Sequence, residues 1–131
     1  MIGIDTNVLV RFLVDDDAVQ NAAARRLLSE RTAEDPAYVS AVALVETVWI
    51  LHSRLKFPMP QITAILRDLL AADGLIVEHT EELDALLSET EPNADLADYL
   101  IGWSGMKMGC RATKTFDKTA ARAIPGMEFL T

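Results

Sequence analysis

Four carboxylic acids interrupt parts of this sequence that are otherwise strongly apolar. Runs of that kind form protein cores, where a lone carboxylate is strongly disfavoured unless it is paired, hydrogen-bonded or bound to a metal. The four acids are far apart along the chain, yet each is tied to a predicted core element. We therefore expect them to converge on one divalent cation, and they are Asp5, Glu46, Asp98 and Asp117.

Carboxylate oxygens are ligands for a hard cation, which favours Mg²⁺, with Mn²⁺ as a substitute. Bound Mg²⁺ lowers the pKa of water to create a nucleophile and stabilises charge on an attacked phosphate. In some sites two ions work together, about 3.5–4 Å apart. A site of this type needs no His or Ser base, and hydrolysis of a phosphate ester is the chemistry expected of it.

The elements that would position these acids can be predicted from apolar patterns and turn residues. Short apolar runs predict strands at residues 1–4, 37–40, 75–78, 110–116 and 127–130. Helices are predicted at residues 8–14, 18–31, 41–55, 94–108 and 118–123, with two more that end near Gly74 and Pro92. Strands alternating with helices imply a parallel sheet covered on both faces. We expect one three-layer α/β/α domain over residues 1–131, with a mainly parallel central sheet.

Apolar side chains on these elements should form the core. The helix at residues 18–31 should bury the face made of Val19, Ala22, Ala23 and Leu27. We also expect core positions for Trp49, Trp103 and Cys110.

The carboxyl edge of the predicted sheet is where the acids should meet. In open parallel sheets, ligands bind outside the carboxyl ends of the strands. Asp5 and Asp117 each come directly after a predicted strand, so both belong at that edge. Glu46 lies in the second turn of the helix that follows the strand at residues 37–40, near the same edge. Asp95 and Asp98 are three residues apart near a helix start and therefore share a face.

Three of the aspartates also have purely structural explanations. Asp5 could build an Asx turn together with Asn7. Asp117 could be only the N-cap of the helix that starts at Lys118. Asp95 could be a first-turn partner of the helix dipole. These explanations must all hold together to remove the proposed cation site.

Glu46 is the hardest of the acids to explain structurally. Its helix is apolar on nearly every side, which predicts burial. A buried glutamate in the middle of a helix needs a partner, and a salt bridge to Arg11 or Arg54 is the structural alternative to a metal.

The charge distribution is uneven along the chain. The net charge is −8, and residues 78–98 alone carry eight acids and no Lys or Arg. Between residues 107 and 122 the sign reverses, because five bases accompany only Asp117. A basic rim beside an acidic site could bind a phosphate backbone. A solvated surface with uneven charge is the alternative explanation.

Composition excludes several classes of protein. No apolar stretch reaches the roughly 18 residues that a membrane helix needs, and Asp5 comes too early for a secretory signal peptide. One cysteine allows no intramolecular disulfide, which fits a reducing cytoplasm. With only Cys110, His52 and His79 available, a structural zinc site is not expected.

The order of the acidic motifs resembles that of PIN-domain ribonucleases. The motifs are Asp5-Thr6-Asn7 after the first strand, Glu46 in the helix after the second strand, Asp95-x-x-Asp98-x-x-Ile101 at a later helix start, and Thr115-Phe116-Asp117 at another strand end. The length and element order are similar to those of the VapC toxins of bacterial and archaeal toxin–antitoxin pairs. The resemblance covers essentially the whole chain. The Asp-Thr-Asn start is unspecific alone, whereas the ordered set of four acids with Thr-Phe-Asp is more specific.

This resemblance implies a role for each site residue. The catalytic and metal-binding acids would be Asp5, Glu46, Asp98 and Asp117, with Asp95 as an auxiliary acid. Hydroxyls that orient ligands or water would come from Thr6 and Thr115. Our candidates for contact with substrate phosphates are Lys114 and Lys118.

The resemblance also implies biological partners. The substrate would be RNA, with transfer RNA as the target that the family suggests. A small VapB-like antitoxin would wrap its C-terminal tail around the toxin and block the site, and the toxin would form a homodimer in the cytoplasm. An acidic toxin surface would suit a basic tail.

Two other functions are compatible with parts of the pattern. A Mg²⁺-dependent phosphatase of the haloacid-dehalogenase type also places an Asp after the first strand. It needs a second Asp two residues on, where this chain has Asn7. The non-enzymatic alternative is a catalytically silent dimeric interaction module, in which the acids serve only structure.

Overall fold

The computed structural model describes residues 1–89, 92 and 94–131, so Glu91 of the acidic segment lies outside the described residues. The chain divides into two compact units, Met1–Thr80 and Glu81–Thr131. Among the described residues, no helix combines the length and the apolar character needed to span a membrane.

A parallel sheet organises the first unit. Its strands are β1 (Ile2–Ile4), β2 (Ala37–Val39) and β3 (Leu75–Val77), arranged in that order with β2 in the centre. The last residues of the three strands are paired in register and buried. The residues that follow them therefore stand at one edge of the sheet, and they are Asp5, Ser40 and Glu78.

Four helices accompany this sheet in the described first unit: α1 (Thr6–Leu13), α2 (Ala18–Ser29), α3 (Ala41–Trp49) and α4 (Met59–Ala71). Side chains cap the first three, because Asp5, Asp17 and Ser40 each accept a hydrogen bond from the backbone N–H three residues on. Helix α4 buries one apolar face, which carries Ile62, Leu66 and Leu69.

The predicted helix over residues 41–55 is not a single α-helix. It changes at Ile50–Arg54 into a π-helical turn, in which the N–H of Leu55 donates to the carbonyl of Ile50. Lys56 then adopts a left-handed φ of 59° ahead of Pro58. The wider turn ends the helix before the proline that cannot continue it.

The predicted buried face of α2 is wrong. Val19 is 80 % exposed, whereas Asn21 and Ala24 are buried. The Asn21 amide donates to the Arg11 carbonyl near the end of α1, at 2.7 Å, and its oxygen accepts from Arg25. Because those bonds satisfy the buried amide, α2 packs through a polar residue instead of its more apolar side.

The second unit contains α6 (Leu96–Lys107), β4 (Thr113–Thr115), α7 (Lys118–Ala123) and β5 (Met127–Phe129), and α5 (Thr80–Glu89) supplies its first residues. Strands β4 and β5 form a parallel pair. The core is made of Tyr99, Ala120, Ile124 and Met127. Gly102 allows α6 to approach α7, because a Cβ there would lie 3.2 Å from a methyl group of Ile124.

The strand predicted at residues 110–116 is shorter than expected, and the predicted burial of Cys110 is wrong. Gly109 has a φ of +90°, and the Cys110 N–H donates to the Gly105 carbonyl. These features make the segment after α6 a helix-ending turn, so that Cys110 is exposed and β4 starts only at Thr113.

Candidate active site

The carboxyl end of β1 and the start of α3 bring three predicted site residues together. Asp5 follows β1 directly, and its Oδ1 accepts a hydrogen bond of 2.9 Å from the Val8 N–H. This bond starts α1 and fixes the carboxylate at the sheet edge. The hydroxyl of Thr6, the next residue, donates to Glu46 Oε1 at 2.9 Å.

These three side chains line one open groove of about 430 Å³, whose walls come from β1 and from the first turns of α3. The Asp5 and Glu46 carboxylates therefore share a groove although they are far apart in sequence. Its remaining lining residues are Gly3, Ile4, Ser40, Val42 and Ala43.

The start of α3 is held by two side chains at the same sheet edge. Ser40 Oγ accepts from the Ala43 N–H at 3.1 Å. Glu78, directly after β3, accepts from the Ala41 N–H at 2.8 Å. Glu78 is a positioning residue that was not predicted from the sequence. An acid directly after a strand, as at Asp5, was the signal that could have found it.

Glu78 also acts on Tyr38 of the central strand. Burial raises the pKa of the Tyr38 hydroxyl, and the charge of Glu78 and a hydrogen bond to it raise this pKa further. The phenol therefore stays protonated as a donor. Glu78 joins the middle strand to the first turn of α3, and thereby supports the helix that carries Glu46.

The prediction that all four acids are buried is wrong. Asp5, Glu46 and Asp117 are exposed, and Asp98 is half-buried. Helix α3 is apolar on nearly every side, but it buries only the face with Ala43, Leu44 and Thr47.

Glu46 therefore lies on the outer face of α3. Trp49, which the sequence placed in the core, is 58 % exposed on this helix. Among the described residues, Glu46 is bonded to Thr6 and forms no ion pair with Arg11 or Arg54. Arg11 binds Asp16 and Gln20 instead.

In the second unit, Asp98 is under the influence of two neighbouring carboxylates. Burial raises the pKa of Asp98, and the negative charges of Asp95 and then Asp117 raise it further. Like charges close enough to disfavour one another's ionisation are the arrangement that a bound cation would relieve. The charges of Asp95 and Asp117 thus act on Asp98 within the second unit.

The backbone fixes Asp117 as it fixes Asp5. Asp117 Oδ1 accepts from the Ala120 N–H at 3.0 Å and caps α7. Its own N–H donates to Thr115 Oγ1 at 3.0 Å. Asp117 is therefore an N-cap, as its structural explanation proposed. A carboxylate that caps through one oxygen still has a second oxygen that can bind another ligand.

Asp95 differs from these capping residues. It occupies the N-cap position of α6, yet its side chain makes no capping hydrogen bond. Its carboxylate is exposed and acts on Asp98 through charge.

The two candidate phosphate-binding lysines have different surroundings. Lys114 Nζ lies 2.6 Å from Glu128 Oε1, across the β4–β5 pair. Lys118 Nζ lies 5.8 Å from the centre of the Phe129 ring. The charge of Lys114 is thus balanced by an acid, whereas Lys118 rests over an aromatic face.

The candidate site residues of the two units offer donor atoms that suit a hard cation. These atoms are carboxylate oxygens, accompanied by threonine hydroxyls. Among the residues that the structure describes, no three Asp, Glu, His or Cys side chains already form a cluster that could hold a metal ion. Carboxylates without a cation repel one another. The types of donor atom therefore suit a metal ion, although the side chains do not already form a coordination site.

In α/β proteins with open parallel sheets, ligands bind outside the carboxyl ends of the strands, which is where this chain places Asp5 and Glu78. Residues 2–124 match the PIN domain family, and the chain belongs to that family. No curated protein and no solved structure gives a significant match to the chain.

Family membership confirms the predicted PIN-like α/β fold class with a parallel sheet. PIN domains are generally nucleases, which supports a hydrolase that acts on nucleic acid. Nucleases of this family typically use divalent metal ions, in agreement with the oxygen-rich donor set.

Proposed function

We propose that this protein is a Mg²⁺-dependent endoribonuclease, with Mn²⁺ as a working substitute. The observation that carries the proposal is the groove that holds Asp5 and Glu46 at the sheet edge of a PIN domain. In this proposal residues 1–131 act as one nuclease domain. The substrate is RNA, and transfer RNA is the target class that the family suggests.

The proposed metal ligands are Asp5, Glu46, Asp98 and Asp117. When bound, Mg²⁺ would supply an activated water as nucleophile and positive charge beside the attacked phosphate. Support for this set comes from the mutual repulsion of the acids around Asp98. Capping bonds that hold Asp5 and Asp117 in fixed orientations add further support.

The other polar residues position these ligands. Thr6 holds the Glu46 carboxylate by donating to Oε1. Thr115 accepts from the backbone of Asp117 and thereby fixes the turn that presents it. Asp95 adds negative charge beside Asp98, and Lys118 would contact a substrate phosphate.

We further propose that the enzyme is the toxin of a toxin–antitoxin pair, in which a VapB-like antitoxin blocks the site. A second groove of about 300 Å³ beside Asp5 supports this, because it combines polar Arg11 and Gln20 with apolar Val8 and Leu27. Such a lining suits a peptide tail. A homodimer is supported by exposed apolar side chains on α6, namely Ile101 and Met106.

Cleavage of total RNA by the purified protein tests the enzymatic proposal. Activity should require Mg²⁺ or Mn²⁺ and should disappear in Asp5→Asn and Asp98→Asn, whereas Asp15→Asn removes an exposed acid outside the site and should stay active. Equal cleavage by all three variants would indicate a contaminating nuclease or a wrong site.

The toxin role needs a separate test. Expression of the wild-type chain should arrest growth, and expression of Asp98→Asn should not. A short open reading frame beside the gene, whose product relieves the arrest, would identify the antitoxin. Growth arrest by the inactive variant would contradict the proposed role.

A further inference from the structure

Phe116 has the most exposed aromatic side chain among the described residues, with 76 % of its surface in contact with solvent. It lies between Thr115 and Asp117, in the turn from β4 into α7. Leaving a phenylalanine ring in water forgoes the favourable free energy of burying it. Among the residues that the structure describes, the core of the second unit is built from other side chains.

Hydrogen bonds fix the backbone on both sides of Phe116. The Leu130 N–H donates to the Thr115 carbonyl at 2.8 Å. Next to it, the Asp117 N–H donates to Thr115 Oγ1, and Asp117 caps α7. A ring mounted on a fixed backbone loses little conformational entropy when a flat ligand stacks on it, so the site is preorganised.

Basic residues flank this ring in the sequence, although Glu128 balances the charge of Lys114. Lys114 and Lys118 stand two residues away on either side, and residues 107–122 hold five bases and one acid. The Lys118 ammonium group lies over the ring of Phe129. A ligand that combines a flat aromatic surface with negative charge matches both features, and a nucleotide has this combination.

We propose that Phe116 stacks on an unpaired base of the RNA, beside the phosphodiester bond that is cleaved. The inference rests on the proposed function, because it takes RNA as the ligand and Asp117 as part of the site. An unpaired base is required, since the bases of an RNA duplex do not expose their faces to a side chain. Phe116 would then select single-stranded segments or loops.

An exposed ring could instead mark a protein contact. The surroundings favour RNA, because the centres of protein interfaces are poor in lysine, whereas single-stranded nucleic-acid sites combine aromatic rings with basic residues. The experiment below can also detect a protein contact of Phe116.

Binding of a short oligouridine RNA that carries one 2-aminopurine tests the proposal, since stacking quenches this fluorescent base. The measurement is made in EDTA, so that no cleavage occurs. Wild-type protein should quench the probe, and Phe116→Ala should weaken binding about tenfold and abolish the quenching. Phe116→Trp should retain both properties. Phe116→Leu, which keeps an apolar side chain without an aromatic face, should behave like Phe116→Ala.

Met108→Ala is the matched control, because Met108 is 83 % exposed and has no assigned role. It should bind the probe like the wild type. All these variants change exposed side chains, so their melting temperatures should equal that of the wild type. The aromatic requirement can then be separated from folding.

The outcomes distinguish this inference from the proposed function. If the wild type does not cleave RNA but Phe116→Ala still loses quenching, stacking holds and the nuclease proposal fails. If the wild type cleaves RNA while Phe116→Leu and Phe116→Ala bind and quench like the wild type, stacking is overturned. Unchanged RNA binding together with an altered oligomeric state in Phe116→Ala also overturns stacking and identifies a protein contact.

Discussion

Thr6 donates a 2.9 Å hydrogen bond to Glu46, 40 residues further along the chain. The bond connects the first residue of α1 to the middle of α3 and holds an exposed carboxylate in one orientation. Because Glu46 is exposed, its carboxylate needs no basic partner. The bond also turns the threonine of the Asp5-Thr6-Asn7 motif into a positioning residue for an acid on another element.

Thr6→Val should therefore impair activity more than stability. Loss of the hydroxyl frees the Glu46 carboxylate, and loss of a residue that orients a ligand typically costs about tenfold to a hundredfold in activity. The free energy of unfolding should fall by only about 1 kcal/mol, since the hydrogen bond is solvent-accessible. RNA cleavage and urea unfolding measure the two effects, and Thr6→Ser should restore cleavage. If Thr6→Val cleaved RNA as fast as the wild type, Thr6 would not be a positioning residue for Glu46.

Asp117 should show separate structural and chemical roles. Asn caps a helix about as well as Asp, whereas Ala lacks the acceptor and costs about 0.5–2 kcal/mol. Asp117→Asn should thus keep its stability and lose activity, and Asp117→Ala should lose both. Urea unfolding in EDTA and RNA cleavage with Mg²⁺ distinguish the variants. Full activity in Asp117→Asn would show that Asp117 serves only as the N-cap of α7.

Asp98 should make the metal-free protein less stable as the pH rises. Its pKa is raised, first by burial and then by Asp95 and Asp117, so the folded protein binds this proton more tightly than the unfolded chain. Tighter proton binding in the folded state makes the free energy of unfolding fall with increasing pH. The contribution is fully present below the unfolded pKa of about 3.9 and is lost as the pH passes the raised folded value.

Asp98→Asn lacks this contribution, so the wild type should lose stability relative to the variant as the pH rises above about 4 and passes the raised pKa of Asp98. Urea unfolding in EDTA at several pH values measures the difference. A variant that is instead several kcal/mol less stable than the wild type at neutral pH would point to a structural ion pair.

Mn²⁺ should stabilise the protein if the proposed ligands bind it. Binding to the folded state alone adds about 2.7 kcal/mol when the free metal exceeds Kd about a hundredfold. This corresponds to a rise of several degrees in melting temperature. The shift should shrink in Asp5→Asn and Asp98→Asn and persist in Asp15→Asn. An equal shift in every variant would mean that Mn²⁺ binds elsewhere.

Glu128 should limit the contribution of Lys114 to RNA binding. Lys114 bonds to Glu128 and lowers the pKa of that carboxyl, so the pair carries little net charge for a phosphate. Glu128→Gln should raise the affinity for single-stranded RNA and steepen its dependence on salt by about one unit, whereas Lys118→Gln should flatten it by a similar amount. Glu34→Gln controls for the loss of an exposed acid. Identical salt dependence in the wild type, Glu128→Gln and Lys118→Gln would show that neither lysine contacts the RNA.

Local sequence predicted most of the secondary structure, because apolar periodicity and capping residues act over a few residues. The helices that begin at residues 18, 41 and 118 are examples. The errors arose where a contact with another element decided the outcome. Asn21 is buried because it reaches the end of α1, and the exposure of Cys110 follows from the turn after Gly109.

Burial of the acids was the least accurate part of the sequence analysis. Apolar residues on both sides of Glu46 suggested a buried helix, but a helix of this composition can bury one face and expose another. Local sequence does not specify which face meets the sheet. The candidate site therefore depends less on desolvation than expected, and more on hydrogen bonds that orient exposed carboxylates.

The sequence by itself determined the α/β class, the order of the strands and helices, and the carboxylates at strand ends, since these follow from local patterns of apolar and capping residues. Only the tertiary structure decided which groups meet: Thr6 with Glu46, Glu78 with the start of α3, and Lys114 with Glu128. Such pairs join residues that are distant along the chain. Their geometry depends on strand register and helix packing, which no local pattern encodes.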